Sequence, residues 1–129
     1  AEIIKAALTR THAEAGDPEH LLAALGGPEF AVLAGVCLGA AEAGSPVVLD
    51  GLATSVAALI ATKFSPGLHG WLVASHASRE HAHQSVLAEL GLEALMELRM
   101  RAGEGVGACL GAQMILTGLQ VRRSAARTC

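Results

Sequence analysis

The chain has 129 residues, of which 52% are hydrophobic, 16% charged and 2% aromatic, with a formal net charge of −3. That length fits one domain with one core, and so apolar a composition excludes a disordered chain. With a sequence pI near 6.0 and no broad basic face, nucleic acid is not an expected partner. The only aromatic residues are Phe30, Phe64 and Trp71, so the core is expected to be built from alanine, leucine, valine and isoleucine. Cys37, Cys109 and Cys129 are odd in number and lack Cys-x-x-Cys spacing. Neither a disulfide framework nor a zinc site is expected, and a reducing cytoplasm is the default. Cys37 and Cys109 read as small buried hydrophobes. The longest nearly uncharged run, Phe30 to Ala41, falls short of the roughly 20 residues a membrane span needs. No signal peptide is evident. The start at Ala1 fits either a processed terminus or a piece of something longer.

Ala1 to Ala15 reads as an amphipathic helix with Ile3, Ile4, Ala7 and Leu8 on one face. Asp17 and Pro18 mark the N-cap and first turn of a short helix that runs to Leu25 and is ended by Gly26-Gly27. Pro28 to Ala43 is a long apolar helix closed by Gly44, and Gly35 and Gly39 give it a smooth stripe for close packing. The continuous apolar runs Val47–Asp50 and Trp71–Ala74 have the character of buried parallel strands. Between them, Ala53 to Lys63 reads as a helix. A helix from about His83 to Leu90, another from Leu92 to Glu97 and an ambiguous stretch to Arg101 follow. The glycine loop Gly103-Glu104-Gly105-Val106-Gly107 opens a final helix to about Leu119. Alternation of this kind predicts an α/β chain, a short parallel sheet flanked by helices.

Ligands of open α/β sheets sit beyond the carboxyl ends of the strands. Three segments are therefore candidates: Asp50-Gly51, Ser75-His76-Ala77-Ser78, and Arg101 to Gly105. Glu104, between glycines at a helix start, is either a general base or a glutamate that favours the helix dipole. The free amides of that helix start favour an anion. The spacing is not the dinucleotide fingerprint, because its third glycine is misplaced. Asp50 is either a ligand contact or the N-cap of the helix after Gly51. Ser78 offers a phosphate its hydroxyl and amide, or simply caps a loop. Arg101 neutralises a phosphate or pairs with Glu97. His76, His81 and His83 lie close together, but no Asp or Cys supports them at metal-ligand spacing, and a solvated loop is expected.

Taken together, Gly26-Gly27-Pro28-Glu29, Val48-Leu49-Asp50-Gly51, Ser75-His76 and Arg101 to Ala108 resemble one family. The sequence looks like the C-terminal part of nicotinate-nucleotide:dimethylbenzimidazole phosphoribosyltransferases, over about residues 15 to 119. The resemblance implies a Rossmann-like three-layer fold, a domain or domain fragment of a larger sheet, usually dimeric and needing neither metal nor cofactor. It implies transfer of phosphoribose from nicotinate mononucleotide to a nitrogen of 5,6-dimethylbenzimidazole, in cobalamin lower-ligand synthesis. The family's base falls on Glu104, and its nucleotide contacts fall on Asp50, Gly51 and Ser78, with Arg101, Gly103 and Gly105 in the same loop.

Departures are visible too. Family members are considerably longer, and their Gly-Asn-Thr phosphate loop has no counterpart here. Ala102 stands where leucine is usual, Ala77 where a basic residue is common, and Val106 where the family has a small hydroxyl residue. The arginine-bearing tail, 120–129, does not resemble the family's end. An incomplete site, a homo-oligomer or a partner chain completing the sheet, and an exposed apolar patch are the resulting expectations.

Overall fold

A computed structural model describes residues 2–11, 16–100 and 102–125. Helix α1 (Glu2–Thr11) is followed by α2 (Pro18–Leu21), which widens into a π-helical turn over Leu22–Gly26. The Asp17 carboxylate accepts hydrogen bonds from the amides of Glu19 and His20, the N-cap role its position before Pro18 predicts. Next come α3 (Pro28–Glu42), β1 (Val47–Leu49), α4 (Leu52–Phe64), a 3-10 turn over Pro66–Trp71, β2 (Leu72–Ala74), α5 (His81–Leu90) and α6 (Val106–Ser124). None of the helices among the described residues is long and apolar enough to cross a membrane.

The two strands pair in parallel, Val47 beside Leu72, Val48 beside Val73 and Leu49 beside Ala74. Alternation along a strand sends Leu49 and Leu72 to one face, where they join Ala34, Cys37, Ala58, Ala61, Leu68 and Leu90 in the core beneath α3, α4 and α5. Ala57, Ala58 and Ala61 of α4 are completely buried. Small side chains at this helix face let α3 and α4 pack closely, which is how an aromatic-poor chain builds an interior. Phe64 and Trp71 stay at the surface. The opposite face of the sheet is covered by α6, so a short parallel sheet lies between two helical layers. Close approach there depends on Gly111: a Cβ at that position would sit 2.8 Å from Cβ and 3.2 Å from Cα of Ser75.

Four expectations are corrected. Leu92–Glu97 forms no helix: Met96 bridges His76 in parallel, with Leu95 N–H donating to the Ala74 carbonyl and Ala77 N–H to the Met96 carbonyl. Helix propensity is overridden here by backbone groups at the end of β2 that need partners. The final helix continues past Leu119 to Ser124. Cys37 is buried as expected, but Cys109 is exposed. The Gly35–Gly39 stripe faces open space, and Val32 and Val36 on the same helix are also exposed. Ile3, Ile4 and Leu8 of α1, and Met114, Leu116 and Val121 of α6, are exposed as well. Apolar side chains are thus exposed on three of the helices. Residues 1, 12–15, 101 and 126–129, including the predicted continuation of the first helix to Ala15, lie outside the described residues.

Gly111→Ala places a methyl against the main chain of Ser75 and is expected to lower stability by roughly 1–3 kcal/mol. Gly118→Ala, on the same helix with nothing within 4 Å, is expected to raise it by up to about 1 kcal/mol. Denaturant midpoints at constant m-value measure both.

Candidate functional site

The end of β1 organises the site. Beyond Leu49 the chain turns into α4, whose start is closed by Thr54: its hydroxyl accepts from the amides of Asp50 (3.0 Å) and Gly51 (3.1 Å) and donates to the Gly51 carbonyl. This leaves the Asp50 carboxylate free to reach across the sheet end. It accepts from Ala108 N–H at 3.0 Å and Gly105 N–H at 3.3 Å, the otherwise unpaired donors at the start of α6. The negative charge also complements the positive end of the helix dipole. Gly107 makes this fit possible, because a side chain there would strike the His76 imidazole and lie 2.9 Å from the Asp50 carboxylate.

The turn before α6 is left-handed throughout, with φ of 65° at Gly103, 55° at Glu104 and 82° at Gly105. Such a φ is strained for a glutamate and free for its glycine neighbours. The turn carries Glu104, exposed, to the rim of a crevice of about 520 Å³. Asp50, Gly51, Ser78, Gly103, Glu104 and Gly105 all line it. Six of the seven residues singled out from the sequence thus meet in one place, at the carboxyl ends of the strands. The seventh, Arg101, lies outside the described residues. Carboxylates of Asp50, Glu80 and Glu104 are the charged groups of the described lining. Two arginines stand next door, in a cleft of about 480 Å³ that holds Arg79 and Arg99 beside Glu97 and shares Ser78 and Glu80 with the crevice.

Behind the shared wall lies a buried polar group. His83 Nδ1 accepts from Ser78 N–H at 3.0 Å, which leaves the proton on Nε2 to be donated to Ser55 Oγ, also at 3.0 Å. Ser55 and His83 are almost fully buried. The His76 ring stands edge-on to His83 at 6.3 Å between centroids, and its Nδ1 is hydrogen-bonded to Ser75 Oγ. Burial pushes the His83 imidazole below its ordinary value, the neighbouring His76 pushes it the same way, and Asp50 opposes them. His83 is therefore neutral at pH 7.

Three sequence expectations change. Asp50 is a cap, but of α6 rather than of the helix after Gly51, and it takes two of the amides that were expected to favour an anion. The amide of Ser78 is engaged by His83, and its Oγ accepts from Glu80 N–H at 3.3 Å, so the serine retains only its hydroxyl proton to give a ligand. His76 and His83 are buried rather than solvated, while His81 is exposed. The buried pair Ser55 and His83 was missed. The signal was present: His83 falls on the stripe His83, Leu87, Leu90 that α5 buries. Among the described residues no group of three or more His, Cys, Asp and Glu side chains is arranged to hold a metal ion.

Asp50→Ala uncaps α6 and is expected to lower stability by about 1–2 kcal/mol. Denaturant midpoints of the two proteins at pH 7, compared at constant m-value, measure it.

A phosphoribosyltransferase family model matches residues 1–128. The sequence is 41% identical over 120 residues to the nicotinate-nucleotide–dimethylbenzimidazole phosphoribosyltransferase of Desulforudis audaxviator, covering 93% of this chain and 34% of that protein. To the Mycobacterium tuberculosis protein of the same name it is 43% identical over 113 residues, 88% of this chain and 31% of that one. The crystal structure of the Thermus thermophilus phosphoribosyltransferase superposes with a TM-score of 0.85 at 39% identity, over 92% of this chain and 36% of that one. The chain thus spans about a third of the length of these relatives. With the fold and the sequence in agreement, the chain belongs to the nicotinate-nucleotide–dimethylbenzimidazole phosphoribosyltransferase family.

Proposed function

We propose that this chain is the base-bearing part of a phosphoribosyltransferase of cobalamin lower-ligand synthesis, a single α/β unit of a larger sheet. The observation that carries the reading is the meeting of Glu104 with Asp50, Gly51 and Ser78 in one crevice of a chain of this family. Nicotinate mononucleotide is the donor and 5,6-dimethylbenzimidazole the acceptor. A benzimidazole nitrogen attacks the anomeric carbon with inversion, the bond to the nicotinate nitrogen breaks, and its electron pair leaves with nicotinate. Glu104 takes the proton from the attacking benzimidazole. Asp50 acts on the turn rather than on the ligand: by holding Gly105 and Ala108 it aims the Gly103–Gly105 segment. Gly51, Ser78, Gly103 and Gly105 form the walls against the nucleotide, and Arg101 is assigned to its phosphate. No metal or other cofactor enters this scheme, and the setting is cytoplasmic.

Since the chain spans about a third of its relatives, the remaining walls come from segments outside it, supplied by another chain or by the parent polypeptide. The chain alone is expected to form no α-ribazole 5′-phosphate from the two substrates. A chimera in which it replaces the matching third of the Thermus thermophilus relative is expected to form it, with a loss of roughly 10²–10⁴-fold on Glu104→Gln. Robust turnover by the chain alone would overturn the incomplete site, and an active Glu104→Gln chimera would remove the base role.

The exposed apolar residues of α1, α3 and α6 favour a second reading, a catalytically incomplete remnant that acts through assembly. Calorimetry with nicotinate mononucleotide separates the two: no binding at millimolar ligand supports the remnant, whereas binding that weakens on Ser78→Asp supports the enzyme-derived site.

A further inference from the structure

Ser78 belongs to two concavities at once, the crevice that holds Glu104 and the cleft that holds Arg79 and Arg99. Its own hydroxyl bonds only locally, to Glu80 N–H two residues on. No strand or helix holds this loop, which runs from His76 to the start of α5 at His81. Its backbone is anchored on one side by the pairing of Ala77 with Met96. On the other side it is anchored by the acceptor nitrogen of His83 beneath Ser78. That ring is in turn held from below by Ser55 of α4.

We propose that His83 is a positioning residue for the crevice: its Nδ1 holds the Ser78 amide, and through it the shared wall, in the arrangement that receives a ligand. The inference rests on the crevice being the nucleotide site proposed above, and it assigns His83 no contact with substrate. Nδ1 can accept only while the ring is neutral, since a protonated imidazole has no acceptor. Protonating the ring turns the Ser78 contact into two donors facing each other. The groups that face the ring bear on when this happens: His76 and burial keep it neutral, and Asp50 favours its charging. The contact is therefore complete above the ordinary histidine value of 6.5 and is lost at some lower pH.

Two substitutions separate positioning from simple core packing. The Oδ1 of an asparagine can stand where His83 Nδ1 stands and keep an acceptor for Ser78, while losing Ser55. The amide of a glutamine reaches the Nε2 position and keeps Ser55 while abandoning Ser78. Both alter the core, so both are expected to lower stability; Ser55→Ala, which leaves the Ser78 contact intact, should do so as well. Amide exchange at Ser78, followed by NMR without ligand, should stay slow in wild type, His83→Asn and Ser55→Ala. In His83→Gln it should accelerate at least tenfold. Affinity for nicotinate mononucleotide should follow the same division, with His83→Asn within about threefold of wild type and His83→Gln weaker by about tenfold, the worth of one hydrogen bond. Wild type should also lose affinity below pH 6.5 more steeply than His83→Asn. Equal exchange and equal affinity in the two His83 variants would overturn the positioning role, as would a Ser55→Ala protein as loose at Ser78 as His83→Gln. If wild type binds no nicotinate mononucleotide, the crevice's assignment falls, and the Ser78 exchange pattern alone decides whether His83 holds the loop.

Discussion

One carboxylate joins the two ends of the site. Asp50 closes β1 and caps α6, reaching amides 55 and 58 residues further along the chain. In energy the contact amounts to about 1–2 kcal/mol, no more than any good helix cap. Its importance is geometric. The Gly103–Gly105 turn hangs from this contact at the start of α6. A shift of this helix start by a fraction of an ångström moves Glu104 relative to Gly51 and Ser78. Gly107 and Gly111 are the complement of this clamp: they let α6 come down onto His76 and Ser75 so that the carboxylate can reach.

The same economy governs the rest of the fold. The core is small, made of alanines and leucines between α3, α4 and the sheet, and it leaves the aromatic residues outside. Such a core cannot cover every apolar face. The uncovered faces of α1, α3 and α6 agree with a chain that spans a third of its relatives, in which two-thirds of the family's length lies outside it.

Much of this was legible in the residues. The parallel α/β order followed from apolar runs too continuous for a half-exposed strand and from the helices between them, and Asp17 before Pro18 announced its cap. The convergence of Asp50, Ser78 and Glu104 followed from each standing beyond a strand end or opening a helix. Other features depended on contacts distant in sequence. Asp50 could cap α4 or α6, and local pattern favours α4; Gly51 takes the N-cap position of α4, with Thr54 binding the Asp50 and Gly51 amides, which no spacing reveals. Leu92–Glu97 has helical residue types, but the end of β2 needed a backbone partner. The histidines were judged by their loop-like neighbours, whereas His83 obeys the buried stripe of α5. Glycines 35 and 39 show the reverse failure, a packing surface that the described chain leaves without a partner.

The left-handed turn at Glu104 bears on how this segment can change. A glutamate held at φ 55° between glycines at 65° and 82° owes its direction to backbone chirality, not to a neighbouring side chain. Any L-residue with a Cβ at 103 or 105 meets a steric penalty, while the strained centre accepts other side chains at little further expense. Mutational tolerance at this turn is thus inverted. The two glycines are the positions where a side chain would add strain, and position 104, already strained, is the one the backbone would most readily exchange. Folding alone would be better served by a third glycine, so under the proposed function the carboxylate at 104 is carried at a cost in stability.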